Sequence, residues 1–470
     1  MKTISQGQQT KCLAGGFRQS FLILGLIWWF APGDCRTDMK LFRANQGLSP
    51  TIWKCAGLLR SQTGYLKEKV SKIPFEASLI AVLFLGFGAC GQNTPSGAAN
   101  NLNFSAGIAM YASSTPSHSF VAVTDYGIRE VLLYPGTDLT QYPSSSTTLT
   151  LNPTQISPVA TISGPFQGPS GVFVYPHATS STLPYSSDIK PIPACGSSPA
   201  LIVTDAVANS ISIFCNFHYM TPSQSPTVTI QGSNTQLNSP EGVAVATVPP
   251  TGGQANLQPS ILHPFIFVTN LAGSNVLAFD TSQITAPGTY NLSPSGGINP
   301  GTNGTPGAPQ SQPTELNAPA GIYFSNATNT LVVANTGAGT VNLYPDGAAF
   351  EKTFSNDPPP IFYAGSNTYI SSPVGVWVNN NTLYISDTSG NILVWDNFLS
   401  SGGNYNPTRR INGPNANLNT PYGLTFDSIN ENLFVFQQTG DAIYGYNTQI
   451  FYGGDTPPTY DVTPVNPGLK

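Results

Sequence analysis

The chain has 470 residues, of which 40% are hydrophobic and only 8% charged. Typical soluble domains carry about 25% charged residues, so Ser, Thr, Asn, Gln and Gly must cover most of this surface. Beyond Cys90 six cations stand against 18 carboxylates, which leaves no basic footprint and excludes nucleic acid as a partner.

Residues 1–65 read as a doubtful leader. They hold one apolar run, 21–30, shorter than the roughly 20 residues a bilayer span requires. The preferred account is an over-long start, with translation beginning near Leu66 or Val70; a two-segment membrane anchor is the alternative. Residues 66–90 read as a signal peptide: a basic stretch at 67–72, then an apolar core at 77–89 leading into Cys90. A basic region, an apolar core of about 7–15 residues and a small-residue cleavage site are what export requires. Gly88-Ala89-Cys90 resembles a bacterial lipobox, with Phe87 where leucine is favoured, so Cys90 is expected to carry lipid. Residues 91–103 are polar and read as a tether.

From 104 to 463 one pattern recurs six times. A glycine followed by an apolar residue opens each unit: Gly107-Ile108, Gly171-Val172, Gly242-Val243, Gly321-Ile322, Gly375-Val376 and Gly423-Leu424. Five of the six glycines have a proline two positions earlier, a Pro-x-Gly turn where glycine allows a close or unusual backbone. A second segment alternates apolar residues with period two, as a half-buried strand does. It ends at Asp125, Asp205, Asn270, Asn335, Asp387 and Gln437. Eight or nine residues later stands an aromatic: Tyr134, Phe214, Phe279, Tyr344, Trp395 or Tyr446. A weaker fourth segment recurs after three of these. Six equal units of four short strands predict an all-β fold, a six-bladed β-propeller of four-stranded antiparallel blades, preceded by the signal/anchor segment. Stretches 175–199, 246–262 and 281–318 lack periodicity and read as loops, the places where binding surfaces tend to lie. Residues 464–470 form a tail.

Residues 373–395, Pro-x-Gly-Val followed by Leu-Tyr-Ile-Ser-Asp and Asn-Ile-Leu-Val-Trp, resemble an NHL-repeat unit. That resemblance implies a propeller whose relatives include RNA-binding modules, lyases, lactonase-like hydrolases and secreted proteins. The charge balance argues against the RNA-binding branch.

With the leader removed and Cys90 lipidated, Cys195 and Cys215 remain. One precedes a second strand and the other follows the third strand beside it, so a disulfide is expected, as suits an exported protein. The ring Asp125, Asp205, Asn270, Asn335, Asp387 and Gln437 reads mainly as turn-forming, each side chain bonding backbone N–H groups in the following turn. Calcium held by oxygen ligands is the alternative. Lactonase-like propellers place a Glu, an Asn and an Asp on such a metal, and by residue type the candidates are Glu241, Asn270 and Asp387. His118, His177, His218 and His263 read as isolated surface residues, the aromatic set as packing between blades, and Arg409-Arg410 as a solvated outer pair.

The resulting expectation is a lipid-anchored, extracytoplasmic protein of a bacterial envelope. It has no catalytic residues and no cofactor, and its partners are proteins or glycans. A calcium-dependent lactonase-like hydrolase or a lyase working in the channel is the alternative. The scarcity of cations also fits an acidic habitat, where protonated carboxylates limit self-repulsion.

Overall fold

A computed structural model describes residues 105–111, 120–135, 154–156, 158–175, 191–217, 224–247, 263–299, 316–356, 361–438, 442–449 and 453–464. Cys90, the signal segment and the tether lie outside them, as do His118, His177 and His218. The described strands form six sheets, each with four antiparallel strands in chain order from the inside out.

The inner strands are Ser105–Tyr111, Pro169–Tyr175, Pro240–Ala246, Pro319–Ser325, Pro373–Asn379 and Pro421–Asp427. Each touches the inner strands of its two neighbours, and the first touches the last, so the six blades close into a ring. Every inner strand shifts register beside its glycine, a bulge that bends it towards the axis. The second strands, Phe120–Asp125, Ala200–Asp205, Phe265–Asn270, Thr330–Asn335, Thr382–Asp387 and Asn432–Gln437, end on the predicted ring residues.

The core is divided as the fold requires. Six apolar clusters occupy the six interfaces between neighbouring blades. Each receives one repeated aromatic, packed against the preceding blade: Phe214 against Val131 and Leu133, Trp395 against Val341 and Leu343, Tyr134 against Phe434 and Phe436. All six aromatics are fully buried. A blade therefore cannot cover its apolar faces alone, which is why the sequence must repeat the pattern in register.

The stretch 281–318 was expected to be loop, yet it contains two strands, Gly288–Tyr290 and Gly296–Asn299. Gly296–Asn299 is the fourth strand of blade 3. Its two glycines hid it, because no side chain carries the alternation there. Gly297 has φ 145°, and a Cβ on Gly296 would lie 2.2 Å from the Phe350 carbonyl oxygen.

Gly288–Tyr290 shows a device with no counterpart in the sequence reading. It leaves its own blade and pairs in parallel with Val228–Ile230, the outer strand of blade 2. The same connection in blade 4, Phe354–Asn356, pairs in parallel with Gly297–Asn299 of blade 3. Gly403 bridges to Tyr363 and Gly454 to Ile411 in the same sense. Thr154–Ile156 of blade 1 lies along Val462–Pro464 of blade 6 and so helps close the ring. Outer edges are thereby covered by the next blade, which removes strand edges open to aggregation.

Candidate functional site

The axis is lined by the glycine and the apolar residue after it from every blade, and in blades 3 to 6 also by the residue before the glycine. Gly171 and Gly321 show why glycine is required. A Cβ there would lie 2.1 Å from the carbonyl oxygens of Glu241 and Val374 respectively, each in the next blade. The need is for close approach rather than unusual dihedrals, since neither glycine has a positive φ.

The Glu241 carbonyl and its counterparts at three other junctions are held by hydroxyl groups that the repeat pattern does not single out. Thr204 Oγ1 donates to the Glu241 carbonyl at 2.7 Å and accepts from Gly171 N–H at 2.8 Å. Thr124 does the same between Ser170 O and Gly107 N–H, and Thr269 between Ala320 O and Gly242 N–H. Ser386 joins Tyr422 O to Gly375 N–H. Each side chain thus bonds its own blade and the next, forming a collar around the axis. The signal lay in plain view: a hydroxyl residue immediately precedes Asp125, Asp205, Asn270 and Asp387. Blade 4 has Ala334 there and blade 6 has Phe436, and in blade 4 Thr336 Oγ1 instead donates to Pro373 O at 2.6 Å.

The residue before the glycine varies from blade to blade: Ala106, Ser170, Glu241, Ala320, Val374 and Tyr422. Glu241 and Tyr422 carry the long polar side chains of this set. They project from blades 3 and 6, which face each other across the axis, and the Tyr422 hydroxyl donates to Glu241 Oε1 at 3.1 Å. Burial pushes the Glu241 carboxyl up to about 7, partly offset by the Tyr422 hydrogen bond. Burial, then the charge of Glu241, raises Tyr422 well above its ordinary value, so it stays a donor. Tyr126 is raised by burial and next by Glu241. The cavity at this level has a volume of about 70 Å³.

Of the trio Glu241, Asn270 and Asp387, only Glu241 lines the cavity. The Asp387 oxygens accept from the backbone N–H groups of Ser371, Ser372 and Ser389 and from the Ser389 hydroxyl. Asn270 accepts from Asn238 N–H and donates to Gln236 O and Asn275 Oδ1. Calcium takes six to eight oxygens, and among the described residues no group of three His, Cys, Asp or Glu side chains could hold a metal ion. The side chains of Asn270 and Asp387 thus bond their own turns, while Glu241 faces the cavity.

The other ring members make similar bonds. Asp125 accepts from Gly127 and Ile128 N–H in the following turn. Asp205 accepts from Val207 and Ala208 in that turn, and also from Gln167 and Gly168, which lead into its blade's inner strand. Asn335 accepts from Asn317 N–H and Gln437 from Asn419 and Thr420 N–H, again ahead of the inner strand. The ring residues therefore pin the segment feeding the inner strand as well as the turn.

Cys195 and Cys215 form a disulfide with Cα atoms 5.1 Å apart. His263 Nδ1 lies 3.3 Å from Pro191 O. Arg409 and Arg410 are half-buried rather than solvated: Arg409 pairs with Asp396, and Arg410 stacks over the Tyr369 ring. Side chains on adjacent strands and turns supply partners that a linear pattern does not display.

The fold and the collar define a six-bladed β-propeller with a polar clasp across its axis. Compared with known proteins, the chain matches no family model and no curated protein.

Proposed function

We propose that the chain is an exported, NHL-like propeller, tethered through Cys90 to a bacterial envelope, where it acts as a non-catalytic binding scaffold for protein or glycan partners. The observation that carries this reading is the narrow axis. Apart from the Tyr422–Glu241 hydrogen bond that crosses it, the cavity is lined by glycine and apolar residues and offers an organic substrate few polar partners, so recognition is assigned to the rims and outer faces. Six interlocked interfaces supply a rigid frame for such surfaces. The test has two arms. Metabolic labelling with a fatty acid should mark the wild-type chain and not Cys90→Ser. The purified chain should leave lactones and esters intact. Turnover of a lactone that Glu241→Gln abolishes would overturn the scaffold reading.

The second reading, a hydrolase or lyase working at the axis, is favoured by Glu241 itself. A carboxyl with a pKa of about 7 at a channel suits a general base. Its calcium-dependent form predicts a melting temperature that rises with calcium and falls with chelator; the scaffold reading predicts the same value in both.

A further inference from the structure

At three junctions between blades the chain builds the same corner. A turn ahead of an inner strand donates a backbone N–H to an Asn or Asp side chain from the 3–4 connection of the following blade. The pairs are Asn234 with Asn291 at 2.8 Å, Asn367 with Asn404 at 2.7 Å, and Asn415 with Asp455 at 2.6 Å. Two residues past the donor, the backbone turns left-handed in every case, at Gln236 (φ 56°), Tyr369 (φ 59°) and Asn417 (φ 56°). Asparagine tolerates that conformation and a bulky tyrosine rarely adopts it. The residue after the clasping side chain is Leu292, Tyr405 or Thr456.

The corner between blades 4 and 5 thus departs from its two equivalents by carrying a tyrosine at both positions. Both stay in solvent, Tyr369 45% and Tyr405 63% exposed. Arg410 lies 4.2 Å from the Tyr369 ring centroid. Its Nε donates to Asn391 Oδ1 at 2.8 Å, and Asn391 is tied through Ser389 to the buried Asp387. A strained, exposed ring is therefore propped by one of the few cations, which is itself fixed to the blade's interior. Packing does not require this, because the other corners close with Gln236 or Asn417.

We propose that this corner binds a neutral polysaccharide. The two rings would stack against the C–H faces of sugars, while the Arg410 guanidinium, the exposed Asn406 amide and the Asn404 amide nitrogen, whose oxygen is taken by Asn367 N–H, would meet the hydroxyl groups. The surroundings select this occupant. The exposed residues beside the rings in the chain are polar, Ser366 and Asn367 before Tyr369 and Asn404 and Asn406 around Tyr405, rather than the apolar side chains that anchor a protein partner. Arg409 is neutralised by Asp396, so the corner lacks the paired cations an acidic chain would need. The proposal rests on the binding-scaffold reading and names its ligand class.

Native gels cast with soluble xylan, mixed-linkage β-glucan, galactomannan or dextran test it with the full chain. At least one polysaccharide should retard the wild type. Tyr369→Asn, which copies Asn417 and relieves the left-handed strain, should weaken retention about tenfold with no loss of melting temperature, a change of about 1.4 kcal/mol. Tyr405→Thr, which copies Thr456, should do the same. Failure of all four polysaccharides to retard the wild type would overturn the proposal, as would undiminished retention of Tyr369→Asn. Stable capture of an envelope protein by a chain that no polysaccharide retards would sink the glycan assignment alone and leave the scaffold reading standing.

Discussion

Tyr422 and Glu241, 181 residues apart, meet across the axis through a hydrogen bond of 3.1 Å. They occupy equivalent places in opposite blades, and neither could reach a polar partner within its own blade's triplet of glycine and apolar residues. The bond therefore satisfies two side chains at once and spans the ring at its narrowest level. Its donor keeps its proton throughout the accessible pH range, so the ionisation of Glu241 is what can change.

The sign of that change follows from its pKa. Burial raises Glu241 from 4.5 to about 7, so the folded state holds its proton more tightly than the unfolded state does. The stability linked to this group is complete below pH 4.5 and is lost as pH rises through 7. Glu241→Gln keeps an acceptor for Tyr422 and carries no charge. At pH 8.5 it should be more stable than wild type by about 1–3 kcal/mol, and at pH 4 it should match it. Denaturant midpoints at the two pH values give the comparison, and equal differences at both would rule out this assignment.

Glu351 should act in the same direction and more strongly. It is 1% exposed, neither carboxyl oxygen has a hydrogen-bond partner, and burial pushes its pKa up to about 9. Lys352 lowers it in part, and Asp280 works against that. Its contribution is whole below its ordinary 4.5 and fades until pH passes about 9. Glu351→Leu removes an unsatisfied polar group from an apolar surround and should raise alkaline stability by about 2 kcal/mol or more. A variant with the wild-type pH profile would show that the carboxyl finds a partner in solution. Together the two residues predict a chain that is firmer at pH 5 than at pH 9.

The repeat was readable because each blade needs the same apolar alternation, the same glycine and the same buried aromatic to fill an interface. Tyr134, Phe214 and Trp395 therefore announce the fold without any structure. Gly296–Asn299 escaped because a strand made of two glycines and one apolar residue leaves no alternation to detect. The clasp escaped for a different reason. Glu241 stands out by residue type as a metal ligand, and a ring of six does set blade 6 opposite blade 3, but nothing in the linear pattern says that the residue before each glycine points to the axis, so Tyr422 had no reason to be paired with it. The Tyr369 corner is legible only against its equivalents: Gly-Ser-Asn-Thr recurs at 232–235 and 365–368, but the sequence does not say that the residue after it turns left-handed beside the clasp of the following blade.

The hydroxyl collar gives a prediction with a control inside the protein. Thr204→Val keeps shape but removes the bonds to Gly171 N–H and the Glu241 carbonyl, both held at the crowded axis. Leaving those groups unpaired should cost about 1–3 kcal/mol. Ala334 occupies the equivalent position in blade 4 with no hydroxyl to lose, so Ala334→Val should cost only its packing strain and leave the axial hydrogen bonds intact. Amide exchange at Gly171 separates the two, since it should accelerate in Thr204→Val alone. Unchanged exchange there would mean that the collar does not hold the inner strands.

The disulfide offers the last test. Cys195 ends the short turn Pro193–Cys195, and Cys215, 20 positions further on, ends the third strand of blade 2. The turn also reaches the next blade, where Ala194 N–H donates to Ile284 O at 2.9 Å, and Ile192 is buried in the cluster between blades 2 and 3. The bridge therefore fastens a loop that helps to seal that interface. A closed loop of this size contributes about 3 kcal/mol by restricting the unfolded chain. Cys195→Ser with Cys215→Ser should lower stability by about that amount, and reductant should lower the wild type equally while leaving the double variant unchanged. Hydrogen exchange should quicken first at Ala194 and Ile284. Uniform quickening across all six blades would instead place the effect in the unfolded chain alone and remove any special role for the loop at that interface.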